Sequence, residues 1–342
     1  LGSALPGEAT RFLDNVGGGS FNAIGVAQTG LPATGLRDPI AVDFDRDGWV
    51  DIIAISSASV ASGGGPSTYP LYALRNDPSG GFVDVTASSG LPTDAIASKG
   101  SLQAGDLDHD GDTDILVVDY SLGTSIWLND GTGSYADATT SILPDLASEA
   151  PRTGTLADFD SDGDIDVLLG PMARPGGSSF DLHVNDGTGT YARRTSGLGD
   201  LDSFDYGSAQ YHLAVADFDN DGDLDIVSEN GNRSLTWWDN DGTASFTALA
   251  VGIVSDDFNT ALNPRISAGD LDASGTVDLL VAASSEEPCM GNLCGGVLLN
   301  RFAESNAWTR VALEGTVSNR GAVGAKVTLT CGGTSQIRTM ET

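Results

Sequence analysis

The chain is poor in several residues, and each scarcity narrows what it can do. Of 342 residues only 2 are lysine (Lys99 and Lys326), 8 are glutamate and 3 are cysteine. With 16 basic side chains against 48 acidic ones, the net charge of -32 argues against binding nucleic acid or anionic lipid through a basic patch. Metal ions and cationic partners are its natural counterparts. No apolar run reaches the roughly 18 residues of a spanning helix, so membrane insertion is not expected. The sequence has no Gly-x-Ser-x-Gly elbow, no phosphate-binding Gly-Lys motif and no His-Glu-x-x-His. The chain opens without Met or a recognisable signal peptide and stops inside a strand-like stretch, which predicts a fragment of a longer precursor.

What is abundant is aspartate, with 40 residues, and glycine, with 45. Both favour turns over helices, so short strands joined by structured turns are expected. At 40% hydrophobic residues the chain can bury a sizeable core. A repeat organises it. The segment Asp43-Phe-Asp-Arg-Asp-Gly-Trp-Val-Asp51 recurs at Asp106 to Asp114, Asp158 to Asp166, Asp217 to Asp225 and, weakened, Asp270 to Asp278, with starts 63, 52, 59 and 53 residues apart. A short apolar strand precedes each loop and another follows it. A third strand ends in Asn76-Asp77, Asn129-Asp130-Gly131, Asn185-Asp186-Gly187 or Asn240-Asp241-Gly242, and a fourth starts at Phe82, Tyr135, Tyr191 or Phe246.

Four antiparallel strands per unit, repeated radially, is the logic of a β-propeller blade. Aligned on the turn Asn, one column holds Leu13, Leu74, Trp127, His183, Trp238 and Leu298, and the column before it holds Phe12, Ala73, Ile126, Leu182, Trp237 and Val297. Adjacent strand residues face opposite ways, so both faces are apolar, as in a sheet sandwiched between neighbours. The fold class read from the sequence is therefore all-β, a β-propeller of four-stranded antiparallel blades. Five complete units run from about residue 37 to 315, and residues 10 to 27 supply two strands of another.

The loops carry their own chemistry. Acids stand at positions 1, 3, 5 and 9 with Gly at 6, and carboxylates at alternate positions of a tight turn converge on one point. Hard oxygen donors in that number suit calcium, about five ions in all. The ligand set at positions 1, 3, 5, 7 and 9 comprises Asp43, Asp45, Asp47, Trp49 and Asp51; Asp106, Asp108, Asp110, Asp112 and Asp114; Asp158, Asp160, Asp162, Asp164 and Asp166; Asp217, Asp219, Asp221, Asp223 and Asp225; and Asp270, Asp272, Ser274, Thr276 and Asp278. Position 7 varies because only its backbone carbonyl is needed. Ser274 in place of an Asp makes the fifth site weaker. An EF-hand is excluded: its bidentate Glu at position 12 is Ala54, Val117, Leu169, Ser228 and Val281 here, and the flanks are strands.

These loops and turns resemble the FG-GAP/VCBS repeat family, whose members are similar to the calcium-binding blades of integrin α-subunit propellers and are commonly seven-bladed. The literal Gly-Ala-Pro string is absent, so integrin-type ligand binding does not carry over. Trp308-Thr-Arg-Val-Ala-Leu-Glu-Gly315 and Ser318-Asn-Arg-Gly-Ala-Val-Gly-Ala-Lys-Val-Thr-Leu329 are similar to the start of the ASPIC/UnbV domain of cartilage acidic protein relatives. The resemblance implies a propeller over residues 1–315 and a truncated second domain over 316–342. It also implies a secreted or surface-exposed, calcium-binding, non-catalytic module; inserts such as Ser56 to Pro70 and Ser284 to Gly296 are expected to offer the rim on which a glycan or protein ligand is met.

Other residues weigh less. Cys289 and Cys294 cannot build a zinc site alone, and their spacing permits a hairpin disulfide; Cys331 is odd. His183 interrupts an apolar column and reads as a core histidine. His212, Tyr211 and Arg193-Arg194 hold the groups a calcium-dependent polysaccharide lyase or hydrolase would need, which makes that the competing class. Trp127, Trp237 and Trp238 could stack on sugars, but their column is the packing column. His109, at position 4, is expected to face solvent.

Overall fold

The computed structural model describes residues 12–17, 20–25, 29–60, 68–93, 96, 100–146, 151, 153–174, 177–194, 197–199, 212–230, 234–249, 265–282, 295–301, 311, 313, 325–331 and 334–339. The chain forms two compact units, one of Leu1–Ala150 with Leu313–Val327 and Arg338–Thr342, the other of Pro151–Ala312 with Thr328–Ile337.

In the first unit, β1 (Phe12–Gly17) and β2 (Ser20–Ile24) form a hairpin, as the Gly-rich turn between them predicts. Two four-stranded antiparallel sheets follow. Blade 1 is β3 (Leu36–Val42), β4 (Asp51–Ser56), β5 (Leu71–Asn76) and β6 (Phe82–Asp84). Blade 2 is β7 (Gly100–Gly105), β8 (Asp114–Asp119), β9 (Gly123–Asn129) and β10 (Tyr135–Asp137). One-turn helices α1 (Thr86–Ser89) and α2 (Thr139–Ile142) follow these two blades.

The second unit holds three more blades. Blade 3 is β11 (Thr153–Ala157), β12 (Asp166–Arg174), β13 (Gly177–Asn185) and β14 (Tyr191–Arg194). Blade 4 is β15 (Leu213–Ala216), β16 (Asp225–Asn230), β17 (Ser234–Asn240) and β18 (Phe246–Leu249). Blade 5 shows β19 (Arg265–Gly269), β20 (Asp278–Ala282) and β21 (Gly295–Leu298). A fourth strand in that blade would fall outside the described residues. Near the end of the chain β22 (Lys326–Cys331) pairs with β23 (Thr334–Thr339). The fold class is all-β, five propeller blades with almost no helix.

Register explains why both strand columns are apolar. The residue after the last loop Asp pairs with one column in every blade: Ile52 with Leu74, Ile115 with Trp127, Val167 with His183, Ile226 with Trp238 and Leu279 with Leu298. The next residue pairs with the other column, Ile53 with Ala73 and Leu116 with Ile126. One face of blade 1 (Ile53, Ile55) then packs on the opposite face of blade 2 (Ile115, Val117), with Phe44 and Tyr135 in the same cluster. Leu168 of blade 3 meets Ile226 and Trp238 of blade 4, and Val227 of blade 4 meets Leu279 and Val281 of blade 5. β4 and β8 are buried along their whole length.

Where consecutive blades meet, backbone must come close. A Cβ added at Gly133 would lie 2.8 Å from the Phe44 ring, and this residue already sits at φ 79°. Glycine meets both demands.

Candidate metal centre

Each loop turns sharply through two residues at positive φ. One is position 4: Arg46 (56°), His109 (64°), Ser161 (60°), Asn220 (57°) and Ala273 (61°). The other is the expected Gly at position 6: Gly48 (92°), Gly111 (84°), Gly163 (100°), Gly222 (113°) and Gly275 (86°). The turn is fastened by the acids themselves. The position 6 N–H donates to the position 1 carboxylate, at 3.1 Å for Gly48 to Asp43 and 3.0 Å for Gly163 to Asp158. The position 7 N–H donates to the position 5 carboxylate, at 2.8 Å for Trp49 to Asp47 and for Asp112 to Asp110.

The last Asp of the loop has a double duty. Asp51, Asp114, Asp166, Asp225 and Asp278 are each wholly buried. One oxygen accepts the N–H of position 2: Phe44 at 3.1 Å, Leu107 at 2.8 Å, Phe159 at 2.9 Å, Phe218 at 3.0 Å and Leu271 at 2.9 Å. The other accepts the N–H of the turn Asn: Asn76 at 2.7 Å, Asn129 at 2.8 Å, Asn185 and Asn240 at 2.9 Å, and Asn300 at 2.8 Å. These bonds tie the loop to the end of the third strand. The Asn side chain adds a bond of its own: Nδ2 of Asn76, Asn129, Asn185, Asn240 and Asn300 donates to the position 8 carbonyl of Val50, Thr113, Ile165, Leu224 and Val277 at 3.0, 3.3, 3.3, 3.0 and 3.1 Å.

Three carboxylates then converge in every loop. The sets are Asp43, Asp45 and Asp51; Asp106, Asp108 and Asp114; Asp158, Asp160 and Asp166; Asp217, Asp219 and Asp225; and Asp270, Asp272 and Asp278. Each offers oxygens that lie within 4.8 Å of one another. Positions 5 and 7 do not belong to these sets. Asp47, Asp110, Asp162 and Asp221 are exposed and cap the position 7 N–H. Among position 7 residues, Trp49 is 48% exposed, whereas the Asp112, Asp164 and Asp223 carboxylates lie over the turn glycines Gly131, Gly187 and Gly242. Thr276 donates instead to the Asn300 carbonyl at 2.9 Å.

Burial and proximity disfavour ionisation of these sets. Burial, opposed by the two backbone donors and assisted by neighbouring acids, pushes the Asp51 carboxyl up to about 7 and those of Asp114, Asp166 and Asp225 up to about 8. Burial also lifts Asp158 and Asp219 to about 6, and raises Asp45, Asp108 and Asp160. Buried Oδ1 atoms of Asp106 and Asp160 have no hydrogen-bond partner, so they remain available to a hard cation. An all-oxygen donor set of this charge fits calcium and gives zinc or copper no nitrogen or sulfur.

Other charges tune the loops, and these are not evident in the repeat. The residue before the turn Asn is Arg75, Leu128, Val184, Asp239 or Leu299. Asp239 hydrogen-bonds to Asp219 and adds an acid to the fourth loop, while Arg75 lowers the charge felt by Asp45 in the first. Arg301 pairs with Asp272 at 3.4 Å in the fifth loop, where acids are fewest. Aligning that column by sign of charge would have found the first two.

The remaining candidates lie outside these carboxylate sets. His183 is 2% exposed within the blade 3 column, as a core histidine should be. Arg193 pairs with Asp181 at 2.8 Å, and Arg194 donates to the carbonyls of Thr243 and Gly197. His212 is half-buried, and Tyr211 lies outside the described residues. Trp237 and Trp238 are buried, with the Trp238 indole donating to Ser228 at 2.9 Å. His109 is half-buried with a shielded Nε2, rather than facing solvent as its loop position implies. Cys289 and Cys294 lie outside the described residues, so their bridge is not seen.

Comparison with known proteins agrees with the repeat. No curated protein matches the chain. Solved structures it is similar to include the RS223 β-xylosidase, at 10% identity, 74% of this chain and 87% of that one, with a TM-score of 0.41. The GH32 β-fructofuranosidase of Bombyx mori is another, at 13% identity, 78% of this chain and 60% of that one, with a TM-score of 0.42. Likenesses this low say nothing of this chain's chemistry. A family described as "FG-GAP-like repeat" matches residues 106–169, 158–228 and 217–281, each span running from one Asp loop through the next. Together those spans cover just over half of the sequence, and the chain belongs to the FG-GAP-like repeat family.

Proposed function

We propose that the five loops are calcium sites and that the calcium-loaded blades act as an extracellular binding or adhesion module for a glycan or protein ligand. The observation that carries the metal reading is the fivefold recurrence of three carboxylates with oxygens within 4.8 Å, one of them always wholly buried. A single such cluster is commonplace; five in one register are not. The positions 1, 3 and 9 side chains would hold the ion, with the position 7 carbonyl expected to join them. Calcium supplies charge neutralisation, which lets buried carboxylates ionise without mutual repulsion. With a dissociation constant of ~0.1 mM and ~1 mM free calcium, each site adds on the order of 1.4 kcal/mol to stability.

The binding role rests on the family and on the sequence inserts Ser56 to Pro70 and Ser284 to Gly296, of which 61–67 and 284–294 lie outside the described residues. Its non-catalytic character is supported by two of the lyase candidates, since Arg193 pairs with Asp181 and Arg194 donates to the Thr243 carbonyl. Among the described residues no helix is long and apolar enough to cross a membrane. The family resemblance supports an extracellular setting, where calcium is abundant.

A melt in 1 mM calcium against excess chelator tests the metal reading: a fall of many degrees in chelator is expected, and an unchanged melt refutes it. Glycan and extracellular-protein arrays probed with the calcium-loaded chain test the second part, with chelator-sensitive binding expected. Unsaturated product from a polyuronate panel, lost on His212→Ala, would overturn the non-catalytic reading.

A further inference from the structure

Consecutive loops within each unit are joined by the same two links. In the first unit, Arg46 at position 4 of loop 1 reaches loop 2, donating to the Gly111 carbonyl and pairing with the Asp112 carboxylate at 2.5 Å. Asn129 of blade 2 reaches back, its Nδ2 donating to the Phe44 carbonyl of loop 1 at 2.8 Å. In the second unit Ser161 donates to Asp223 at 3.3 Å and Asn220 to the Gly275 carbonyl at 3.1 Å. There Asn240 donates back to the Phe159 carbonyl at 2.8 Å and Asn300 to the Phe218 carbonyl at 2.6 Å.

The back-link runs from carboxylate to carboxylate. Asp51 accepts the Phe44 N–H, the Phe44 carbonyl accepts Asn129 Nδ2, and the Asn129 N–H donates to Asp114. In the second unit the chain is twice as long: Asp166 to Phe159 to Asn240 to Asp225, then Phe218 to Asn300 to Asp278. Both ends of each step belong to a carboxylate set, and each step passes through the backbone of one position 2 residue and the backbone and side chain of one turn Asn. Fixing one end therefore restricts the two residues that position the other. An ordering cost met by one ligand need not be met again by the next.

We infer that consecutive loops within a unit bind their cations cooperatively, with Arg46, Ser161, Asn220 and the turn residues Asn129, Asn240 and Asn300 acting as positioning residues between sites. The inference rests on the calcium reading of these loops. Linkage makes the effect reciprocal, so either loop of a pair can report it.

Trp49 stands within loop 1, so terbium luminescence excited through it reports occupancy of that loop, with Trp49→Phe as the blank. Terbium alone is titrated into the whole chain. Replacing Asp106 and Asp108 by Asn disables loop 2 and leaves the Asp114 link intact. The loop 1 midpoint is expected to rise by a factor of about 5 or more. Replacing Asp217 and Asp219 by Asn disables loop 4 of the other unit and should leave the midpoint unchanged. In an Arg46→Ala background, safe for folding because that side chain is 53% exposed, the response to loss of loop 2 should shrink. A loop 1 midpoint indifferent to loop 2, or equally sensitive to loop 4, overturns the coupling. A coupling undiminished by both Arg46→Ala and Asn129→Ser overturns the assignment of those residues. No Trp49-sensitised emission at all would instead refute the metal reading beneath it.

Discussion

Replacing Asp225 by Asn should destabilise the protein far more with calcium than without it. In the fold Asp225 is wholly buried and accepts the N–H groups of Phe218 and Asn240 at 3.0 and 2.9 Å. Without a cation, burial holds its carboxyl protonated up to about pH 8. At pH 7.5 the substitution then exchanges one neutral, nearly isosteric group for another, at a cost of about 1 kcal/mol for the disturbed hydrogen bond. With calcium the carboxylate is ionised, and the variant loses the ~1.4 kcal/mol of that site on top of the same disturbed hydrogen bond, about 2.4 kcal/mol in all. At about 2–4 °C per kcal/mol, the melting point should fall by roughly 5–10 °C in 1 mM calcium and about 2–4 °C in chelator. Differential scanning calorimetry at pH 7.5 measures both. Equal losses in the two conditions would show Asp225 to be a backbone clamp and not a ligand.

The same carboxylates give the cation-free protein an unusual pH dependence. The folded chain holds protons on Asp51, Asp114, Asp166 and Asp225 up to about 7 or 8, whereas the unfolded chain releases them near 3.8, so stability is present at low pH and lost as pH rises through that range. Melts in chelator should therefore climb from pH 9 to pH 6, while in calcium the trend should flatten or reverse as protons displace the ion. Arg75→Leu should tighten terbium at loop 1, and Asp239→Asn should weaken calcium at loop 4, each by about 2- to 5-fold for a part-exposed charge; site-resolved titration checks both. Gly133→Ala, at φ 79° with its Cβ 2.8 Å from the Phe44 ring, should cost about 1–3 kcal/mol in chemical denaturation.

Much of this was legible in the sequence because a repeat restates its constraints. Period, alternation and the Asn-Asp-Gly turns placed the strands, and Phe82, Tyr135, Tyr191 and Phe246 each open a fourth strand as expected. The double role of the last loop Asp was not legible, since its two backbone donors come from residues 7 back and 15 to 25 onward, a relation set by sheet register. The linking role of position 4 is not legible for a related reason. Arg46, Ser161 and Asn220 share no chemistry in sequence, and only the approach of the next loop shows that they do the same work.

Counting bound calcium is the most direct test of the central claim. The full chain, stripped with chelator and dialysed to equilibrium against 1 mM calcium at pH 7.5, should retain four to five ions by elemental analysis, one for each Asp loop. Retention of none, or of a single ion, would contradict it.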